Sequence, residues 1–345
     1  MDATRFGVLS ACYANLRIGV IGDVCLDRYL EIDASLAETS IETGRAVHNI
    51  AAIRNQPGAA GTVINNLAAL GIGRIDVFGW CGLDGEGWEL QRALATVPGI
   101  ALSGFVASAE RRTFAYTKPL LCDGQGPPRE LERWDLKNWT PTPESLSRVM
   151  AQAIRSNGPH LDALVIMDQA DRPGTGVITE AVLAEVAHLA KTRPHLPIIA
   201  DSRPGLGRFP AVIFKMNHHE LSRLLGASAS VGVAEARQQA AAMARRNQRD
   251  VVVTLAGDGV VSAQADGTTD HVAAHPLRGA IDVVGAGDSV TANLAAALGS
   301  GASLSEAAVL ANAAASVVIH QLGTTGTATL TQIREILQLP VAAGE

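Results

Sequence analysis

Short apolar runs alternate with segments of helical periodicity along most of this 345-residue chain, and this alternation constrains the fold more than any other feature. The apolar runs have the length of buried strands and lie at 18–22, 75–79, 163–167, 197–200, 212–215 and 251–255. Helical spacing occurs in the segments 62–70, 143–156, 177–191, 233–246 and 289–298. Strands that are separated by helices pair in parallel, because each helix carries the chain back across a face of the sheet. The pattern predicts an α/β fold with a mostly parallel, Rossmann-like central sheet and helices on both faces.

Two segments depart from this alternation and predict a small β lid. Residues 31–56 are polar and mixed without a helical period, whereas residues 112–118 alternate and are rich in β-forming side chains. We expect lid segments at roughly 31–56 and 103–121, inserted into the α/β core of a single domain that spans residues 1–345. An ordinary edge hairpin is the alternative. The stretch 122–143, which is rich in proline and charge, predicts an irregular excursion.

Bulk composition argues against several classes of protein. The formal net charge of −6 disfavours a nucleic-acid or membrane-surface partner. No stretch approaches the about 18 consecutive apolar residues of a membrane span. The cysteines stand singly, at positions 12, 25, 81 and 122, without the Cys-x-x-Cys pairing of a zinc or redox site. We expect reduced thiols in a cytoplasmic protein without a secretory leader.

The stretch 282–290, Asp-Val-Val-Gly-Ala-Gly-Asp-Ser-Val, predicts a site that binds an anion. Gly285, Ala286 and Gly287 precede an alanine-rich helical segment, so backbone N–H groups of the first turn point outward without helical partners. The helix dipole adds partial positive charge, and the small side chains let an anion come close. Asp288 would repel a resting phosphate, which favours a role as the base that takes a proton from an attacking hydroxyl. The alternative is a capped helix in which Asp288 is a solvated first-turn acid.

Weaker signals precede this stretch in the chain. Asp27 follows the first apolar run, where the ligand crevice of an open α/β sheet lies. Pro-Gly-Ala-Ala-Gly at 57–61 is a second glycine-rich turn that opens a helix. Asn217 and Glu220 share a face if a helix starts there, so the carboxylate could hold water around a Mg²⁺ ion, with helix capping as the alternative. A strand that runs into the small residues of 254–259 can cradle a nucleotide or simply turn. Neither a P-loop nor an early dinucleotide-binding glycine motif occurs.

Taken in this order, the motifs resemble the ribokinase-like (PfkB) family of carbohydrate kinases over roughly residues 17–338. Within the family, the stretches 22–29, 311–318 and 322–324 look nearest to the kinase half of the bifunctional heptose-phosphate kinase/ADP-heptose synthases. The resemblance implies ATP-dependent phosphorylation of a hydroxyl on a sugar or sugar phosphate. It also implies ATP and Mg²⁺, often with a monovalent cation such as K⁺, and leaves open a homodimer formed through the lid. A nucleoside kinase on the same fold and a non-catalytic sugar- or nucleotide-binding regulator are the alternatives.

The resemblance also assigns roles to individual residues. Asp288 matches the catalytic base, and the three residues before it match the anion hole. The positions that match sugar-contacting residues are Asp27, Gly58 and Thr62. The positions that match nucleotide-binding residues are Asn217, Glu220, Thr254, Gly257, Gly259 and Asn312, and Glu220 would also act on Mg²⁺ through water. The positions that match the monovalent-cation loop are Asp282, Val284 and Gly323. Two positions depart from the family: Ala59 stands where a glycine is usual, and Thr62 where an asparagine commonly touches the sugar.

A sugar that already carries a phosphate needs a cation, and Arg112 is the candidate. The alternation of residues 112–118 places Arg112 with Phe114 and Tyr116 on one face of a lid strand, and Lys118 ends the same segment. From that face a guanidinium could bind an anionic sugar bidentately. A solvated surface arginine is the alternative.

Overall fold

The computed structural model describes residues 1–340 except 125, 127 and 227–230. The strands of this part are β1 (Arg17–Gly22), β2 (Val24–Asp33), β3 (Glu38–Thr39), β4 (Ala46–Val47), β5 (Ile50–Ala59), β6 (Arg74–Gly82), β7 (Ile100–Ser108), β8 (Ala115–Cys122), β9 (Arg129–Glu130), β10 (Trp134–Leu136), β11 (Ala163–Asp168), β12 (Ile198–Ser202), β13 (Ile213–Asn217), β14 (Val251–Thr254), β15 (Val260–Ala263) and β16 (Thr269–Val272). The α-helices are α1 (Ala3–Cys12), α2 (Ala60–Ala69), α3 (Gly85–Ala95), α4 (Glu144–Asn157), α5 (Glu180–Thr192), α6 (His218–Leu225), α7 (Val233–Asn247), α8 (Ala286–Gly299), α9 (Leu304–Val318) and α10 (Leu330–Ile336).

Nine strands form the central sheet, in the order β16-β15-β14-β13-β12-β11-β1-β6-β7. The strands from β14 to β7 pair in parallel, and β15 and β16 extend one edge in antiparallel fashion. Every residue of β11 is buried, which explains why its sequence is continuously apolar up to the aspartate at its end. The predicted fold class and mostly parallel sheet are confirmed.

Helices cover both faces of the central sheet and enclose two hydrophobic cores. One core contains buried residues of α1, α2, α3, α8, α9 and α10, and the other contains those of α4, α5, α6 and α7. The strands contribute alternately to the two cores: Val165 packs into the first, and its neighbours Leu164 and Ile166 pack into the second. The helices therefore lie on both faces, as the alternation of strands and helices predicts.

A second sheet, in the order β10-β8-β2-β5 with β9 paired to β8, is the lid. Its composition differs from the expected segments. The lid includes all of β2 and the short strands β9 and β10, whereas residues 103–108 belong to β7 in the central sheet. Only Asp23 separates β1 from β2, so the sequence runs from one sheet into the other without a turn signal. The stretch 122–143 is less irregular than expected, because it contains strands β9 and β10. These strands are two and three residues long, too short to show a periodicity in the sequence.

The lid is joined to the central sheet at both ends of one hairpin. Strand β2 continues from β1, and its antiparallel partner β5 leads directly into α2. Ala59, at this junction, has φ of 54° and ψ of −118°, a backbone conformation that favours glycine. The hairpin of β2 and β5 thus brings lid residues to the carboxyl edge of the central sheet, where the ligand site of an open α/β sheet lies.

Candidate active site at the carboxyl edge of the sheet

Helix α8 is preceded by a residue whose backbone conformation favours glycine. Gly285 is the N-cap residue and has φ of 82°, in the left-handed region. The Ala286 N–H donates to the carbonyl of Val283 over 3.2 Å. The N–H groups of Gly287 and Asp288 lie in the first turn, where no helical carbonyl precedes them. This turn can therefore bind an anion, mainly through the amides of residues 287 and 288.

A buried ion pair lies directly beside this turn. The Nζ of Lys215, on β13, is 2.7 Å from the Oδ2 of Asp201 on β12, and both side chains are buried. A Cβ atom added at Gly287 would lie 3.0 Å from the same Nζ, so the ammonium group is close to the anion-binding amides. The hydroxyl of Thr291, one turn further along α8, donates to the Asp201 carboxylate over 3.3 Å. The first turn of α8 thus has a fixed positive charge beside its amides.

Asp288 has the electrostatic environment of a base that works near neutral pH. Burial raises the pKa of its carboxyl from the ordinary 3.8 to about 7, and the charge of Asp201 acts in the same direction. Lys215 and Arg203 oppose this rise, while Asp27 adds to it. The residue as a whole is partly exposed, whereas its carboxyl group lies in a buried environment. A pKa close to the working pH is what general-base catalysis requires.

On the lid side of the site, Asp27 is held by a lysine. The Nζ of Lys118 on β8 is 3.3 Å from the Oδ2 of Asp27 and 3.2 Å from the hydroxyl of Tyr29, both on β2. Burial raises the pKa of Asp27 against the effect of Lys118. Burial alone would lower the pKa of Lys118, but the adjacent Asp27 raises it, so the lysine remains charged.

Gly58 is required by its contact with Asp27. An added Cβ atom at this position would lie 2.7 Å from the Cγ of Asp27, closer than real side chains approach. Gly58 pairs with Cys25 in the hairpin of β2 and β5, so it faces the strand that carries the carboxylate. The glycine therefore leaves room for Asp27 to point into the site.

Thr62 lies between the lid junction and the anion-binding turn. Its methyl group would be 3.4 Å from a Cβ atom at Gly285, and its buried hydroxyl has no hydrogen-bond partner within the described residues. Nearby, the amide of Gln56 on β5 donates to Thr325 and accepts from the Thr324 hydroxyl over 3.3 Å. The lid, the start of α8 and the loop after α9 consequently meet at one place.

The three residues assigned to the monovalent cation lie together. The Asp282 carboxylate accepts from the Val284 N–H over 3.0 Å and from the Gly323 N–H over 3.3 Å. The Asp282 N–H in turn donates to the carbonyl of Ile319 over 2.8 Å. Both oxygens of Asp282 are thus engaged in joining two loops.

Asn217 and Glu220 form a capping box at the start of α6. The Asn217 side chain accepts from the Glu220 N–H over 2.9 Å, and the Glu220 Oε2 accepts from the Asn217 N–H over 2.8 Å. In this structure, Asn217 and Glu220 thus cap the helix, which is the alternative stated above for these two residues. Burial raises the pKa of Glu220, and the nearby Asp201 adds to the rise. The capping box leaves Oε1 of Glu220 free of these bonds, so it fits a role as a partner for Mg²⁺-bound water.

The other residues assigned to the nucleotide gather around the ends of β14 and β16. Thr254 pairs with Asn217 across β13 and β14. An added Cβ atom at Gly259 would lie 2.0 Å from the carbonyl of Val272, whereas one at Gly257 would meet open space. The Asn312 amide on α9 donates to the carbonyl of Ala273 over 2.8 Å. Gly259 and Asn312 thus contact the same segment, 272–274, from two sides.

Arg112 does not lie on a lid strand. Strand β8 begins at Ala115, and the backbone of Arg112 instead exchanges hydrogen bonds with the Asn138 amide side chain. Its side chain is exposed, and Phe114 packs in the core against Trp80. The expectation that Arg112 shares a lid face with Phe114 is therefore wrong, because the alternating pattern begins before the strand does.

Three charged residues of the site were missed at the level of sequence. Lys215 is a lone lysine in an apolar strand, a position where a buried partner is expected. Asp201 follows the apolar run 197–200, so it lies at the carboxyl edge like Asp27. Lys118 was noted only as the end of a β-rich segment. The first two have a sequence signal, whereas the contact between Lys118 and Asp27 depends on the pairing of β2 with β8.

The described part of the chain contains no group of three or more His, Cys, Asp or Glu residues arranged to hold a metal ion. A membrane-spanning helix is likewise absent from the described residues, where no helix is both long and apolar enough.

Known proteins resemble this chain in sequence and in fold. The chain is 33% identical over 329 residues to the bifunctional protein HldE of Azorhizobium caulinodans, covering 94% of this chain and 65% of that protein. The chain thus spans a little under two thirds of the length of this relative. A ribokinase of Arabidopsis thaliana, solved with ribose and ATP, has the same fold with a TM-score of 0.67 and 20% identity, covering 94% of this chain and 99% of that one.

Phosphofructokinase-2 of Escherichia coli, solved in complex with substrates and products, also shares the fold. Its TM-score is 0.70 with 21% identity, covering 94% of this chain and 99% of that one. The sequence pattern of the pfkB family carbohydrate kinases matches residues 166–331, a segment that includes Lys215, Glu220 and Asp288. Residues 166–331 thus carry the sequence pattern of the pfkB family of carbohydrate kinases, within a fold that the chain shares with a ribokinase and a phosphofructokinase.

Proposed function

We propose that this protein transfers the terminal phosphoryl group of ATP to a hydroxyl of a sugar or sugar phosphate. The observation that carries the proposal is Asp288, which lies in the first turn of α8 near the ammonium of Lys215 and whose pKa is raised to about 7, as suits a base. Asp27 and Lys118 lie on the lid side of the same site. A base and an anion site next to a polar lid are what transfer of a phosphoryl group to an alcohol requires.

In the reaction, Asp288 accepts the proton of the sugar hydroxyl as the hydroxyl oxygen attacks the terminal phosphorus. A bond forms between that oxygen and phosphorus, the bond from phosphorus to the bridging oxygen breaks, and ADP leaves with the electron pair. The amides of residues 287 and 288 and the charge of Lys215 stabilise the negative charge on the transferred group. Asp27 accepts hydrogen bonds from sugar hydroxyls and so orients the acceptor.

Two ions belong to this proposal, because the residues present fit them. Glu220 would hold Mg²⁺ through water, and the bound ion would neutralise phosphate charge. The backbone around Asp282, Val284 and Gly323 would hold K⁺, whose charge adds to that of the nearby helix N-terminus. Thr254, Gly257, Gly259 and Asn312 line the region proposed for the nucleoside of ATP.

The test is release of ADP by the purified protein with Mg²⁺-ATP and a panel of sugars, sugar phosphates and nucleosides. We expect ADP release that depends on a sugar or sugar phosphate and exceeds the rate without acceptor. Turnover with none of the sugars or sugar phosphates, or a clear preference for a nucleoside, would contradict the proposal.

A further inference from the structure

Asp23 is the single residue between the central sheet and the lid, and its backbone holds both connections of the lid hairpin. It separates β1 from β2. Its N–H donates to the carbonyl of Met167 in β11 over 3.1 Å, and its carbonyl accepts from the N–H of Ala60 over 3.1 Å. Ala60 begins α2, which follows directly on β5. Both places where the lid hairpin joins the central sheet therefore meet at Asp23.

The carboxylate of Asp23 holds the loop that connects β11 to α5. Its Oδ2 accepts from the N–H groups of Gln169 and Ala170, both over 2.8 Å. Its Oδ1 accepts from the N–H of Val177 over 2.7 Å. The residue is buried, with 1% of its surface exposed. One carboxylate thus fixes the beginning and the end of the segment 169–177, which is called the β11 loop below.

The β11 loop packs closely against this carboxylate. A Cβ atom added at Gly176 would lie 2.3 Å from the Oδ1 and 2.7 Å from the Oδ2 of Asp23, so a glycine is needed for the approach. Burial and, to a lesser degree, the charge of Asp168 raise the pKa of Asp23 to about 6. The carboxyl group is therefore still mostly ionised at neutral pH and can accept all three bonds.

The β11 loop is also bound to the outer part of the lid. The Nζ of Lys137, just after β10, lies 2.8 Å from the carboxylate of Asp171 in the loop and 3.3 Å from that of Asp135 in β10. The carbonyl of Gly176 accepts from the hydroxyl of Thr142 over 2.6 Å, in the segment that leads from the lid to α4. The loop therefore joins Asp23, at the junction of the two sheets, to the outer strand of the lid.

The contact through Lys137 meets the lid in the row of residues that contains Asp27. Asp135 of β10 pairs with Tyr116 of β8, and Tyr116 pairs with Asp27 of β2. The ammonium of Lys137 also lies 5.7 Å from the centre of the Tyr116 ring. Residues that are paired across strands share a face of the sheet. A movement of the β11 loop would therefore be transmitted to the strands that place Asp27, the residue proposed above to orient the acceptor.

We propose that Asp23 is a positioning residue for the acceptor: its carboxylate fixes the β11 loop to the junction of the sheets, and the loop fixes the lid strands that present Asp27. The proposal rests on the kinase function proposed above and adds a residue that acts through the loop. An acceptor hydroxyl has to be held in line with the terminal phosphate, so a small displacement of the lid weakens productive binding. A purely structural Asp23 would instead affect both substrates alike.

Three variants test the contact from different sides: Asp23→Asn, Gly176→Ala and Asp171→Asn. An asparagine at position 23 has one acceptor oxygen, so its NH₂ group would face at least one of the three N–H donors. An alanine at position 176 would push the β11 loop away from the carboxylate. Asp171→Asn removes the ion pair of the loop with Lys137.

Asp250→Asn is the matched control. The carboxyl of Asp250 also accepts a backbone N–H, from Ala265 over 3.0 Å, and burial also raises its pKa. It precedes β14 at the opposite edge of the central sheet, so its loss should not reach the lid.

Amide hydrogen exchange of the 345-residue chain is measured first. In Asp23→Asn and Gly176→Ala, the peptide that covers residues 169–177 should exchange about tenfold faster than in the wild type, because its amides lose their acceptor. Asp250→Asn should leave that exchange unchanged. This measurement needs no substrate, so it is independent of the proposed reaction.

Steady-state kinetics follow, with ribose, fructose, mannose, ribose 5-phosphate, fructose 6-phosphate and mannose 6-phosphate as acceptors. For the best of these, the KM should rise about tenfold in Asp23→Asn and Gly176→Ala, and by a smaller factor in Asp171→Asn. The KM for ATP and kcat at saturating acceptor should stay within about twofold of the wild type. The double variant Asp23→Asn/Asp171→Asn should raise the KM by less than the product of the separate effects, because both act through one loop.

An acceptor KM equal to that of the wild type in Asp23→Asn and Gly176→Ala would overturn the proposal. Equal rises in the KM for acceptor and for ATP, or unchanged exchange of residues 169–177, would overturn it as well. If Asp23→Asn does not fold, Gly176→Ala and Asp171→Asn decide the question by the same criteria. A wild type that phosphorylates none of these acceptors would refute the kinase function itself, and the role of Asp23 in positioning the acceptor falls with it.

Discussion

The value of kcat/KM should rise with pH through a midpoint near 7, because Asp288 acts as a base only when it is ionised. With a pKa of about 7, roughly half of the free enzyme carries the carboxylate at pH 7, about a tenth at pH 6 and about a hundredth at pH 5. The profile of kcat/KM should therefore fall about tenfold per pH unit on its acid side.

Two variants should move this midpoint in opposite directions. Asp201 raises the pKa of Asp288 and Lys215 lowers it. Asp201→Asn removes a negative charge and also leaves Lys215 to interact with Asp288, so the midpoint should move to lower pH. Lys215→Met removes the opposing positive charge, so the midpoint should move to higher pH. Each movement should be on the order of one pH unit, which corresponds to about 1.4 kcal/mol.

The same pair should affect the free energy of unfolding. Lys215→Met leaves the buried Asp201 carboxylate without its partner at 2.7 Å, and loss of one member of a buried pair costs about 3–5 kcal/mol. The double variant Lys215→Met/Asp201→Asn removes both charges and should regain part of that loss in urea denaturation. Asp250→Asn is the control for both measurements. Asp250 is a carboxylate whose pKa burial also raises, but it precedes β14 at the opposite edge of the sheet.

Rates should be measured from pH 5 to 9 at low acceptor concentration, with the acceptor's own ionisation measured separately. Movement of the midpoint in the same direction for Asp201→Asn and Lys215→Met would refute the electrostatic account of Asp288. An unchanged midpoint in both variants, or an equal movement in Asp250→Asn, would refute it as well.

Three further predictions follow from the lid junction and the loops beside the helix. Gly58→Ala places a Cβ atom 2.7 Å from the Cγ of Asp27, so the KM for the acceptor in steady-state kinetics should rise at least about tenfold, while the KM for ATP stays unchanged. An acceptor KM equal to that of the wild type would contradict the contact. Ala59→Gly should raise the free energy of unfolding in urea by about 1 kcal/mol, because it relieves a left-handed alanine; an equal or lower stability would contradict this strain. Activity should be higher in a K⁺ salt than in the salt of a large organic cation. Asp282→Ala should abolish that difference, because it removes the carboxylate that joins the loops of Val284 and Gly323. Equal rates of the wild type in both salts would argue against a cation site.

The central sheet was predictable because strands that are buried on both faces have continuous apolar sequences. The runs 163–167 and 251–255 are continuous apolar segments, and both are strands in the structure. Strand β7 was missed because its residues are only partly buried and carry no continuous apolar run. The antiparallel strands β15 and β16 were missed as well.

The start of α8 was predictable for a similar local reason. Gly285 needs its left-handed φ, and the helix that follows has its own periodicity, so both features are present in nearby residues. The capping box of Ser303 and Glu306 at the start of α9 is a local pattern of the same kind.

The charges around the site could not be predicted from local pattern. Lys118 reaches Asp27 only because two strands 91 positions apart pair in parallel. The contact between Lys215 and Asp201 likewise depends on which strands are neighbours. The assignment of Arg112 to a lid strand was mistaken for a different reason. Alternation indicates which residues share a face of a strand but does not locate the first residue of the strand, which is Ala115 in β8.

Removal of the carboxylate in Asp288→Asn tests the central claim most directly. The measurement is ADP release by the purified variant with Mg²⁺-ATP and the best acceptor of the wild type, alongside its melting temperature and its affinity for ATP. Since loss of a general base costs ~10²–10⁴-fold in rate, the account predicts a loss of that size in kcat with the fold and ATP binding retained. A variant that keeps more than about half of the wild-type rate would contradict the assignment of Asp288 as the base.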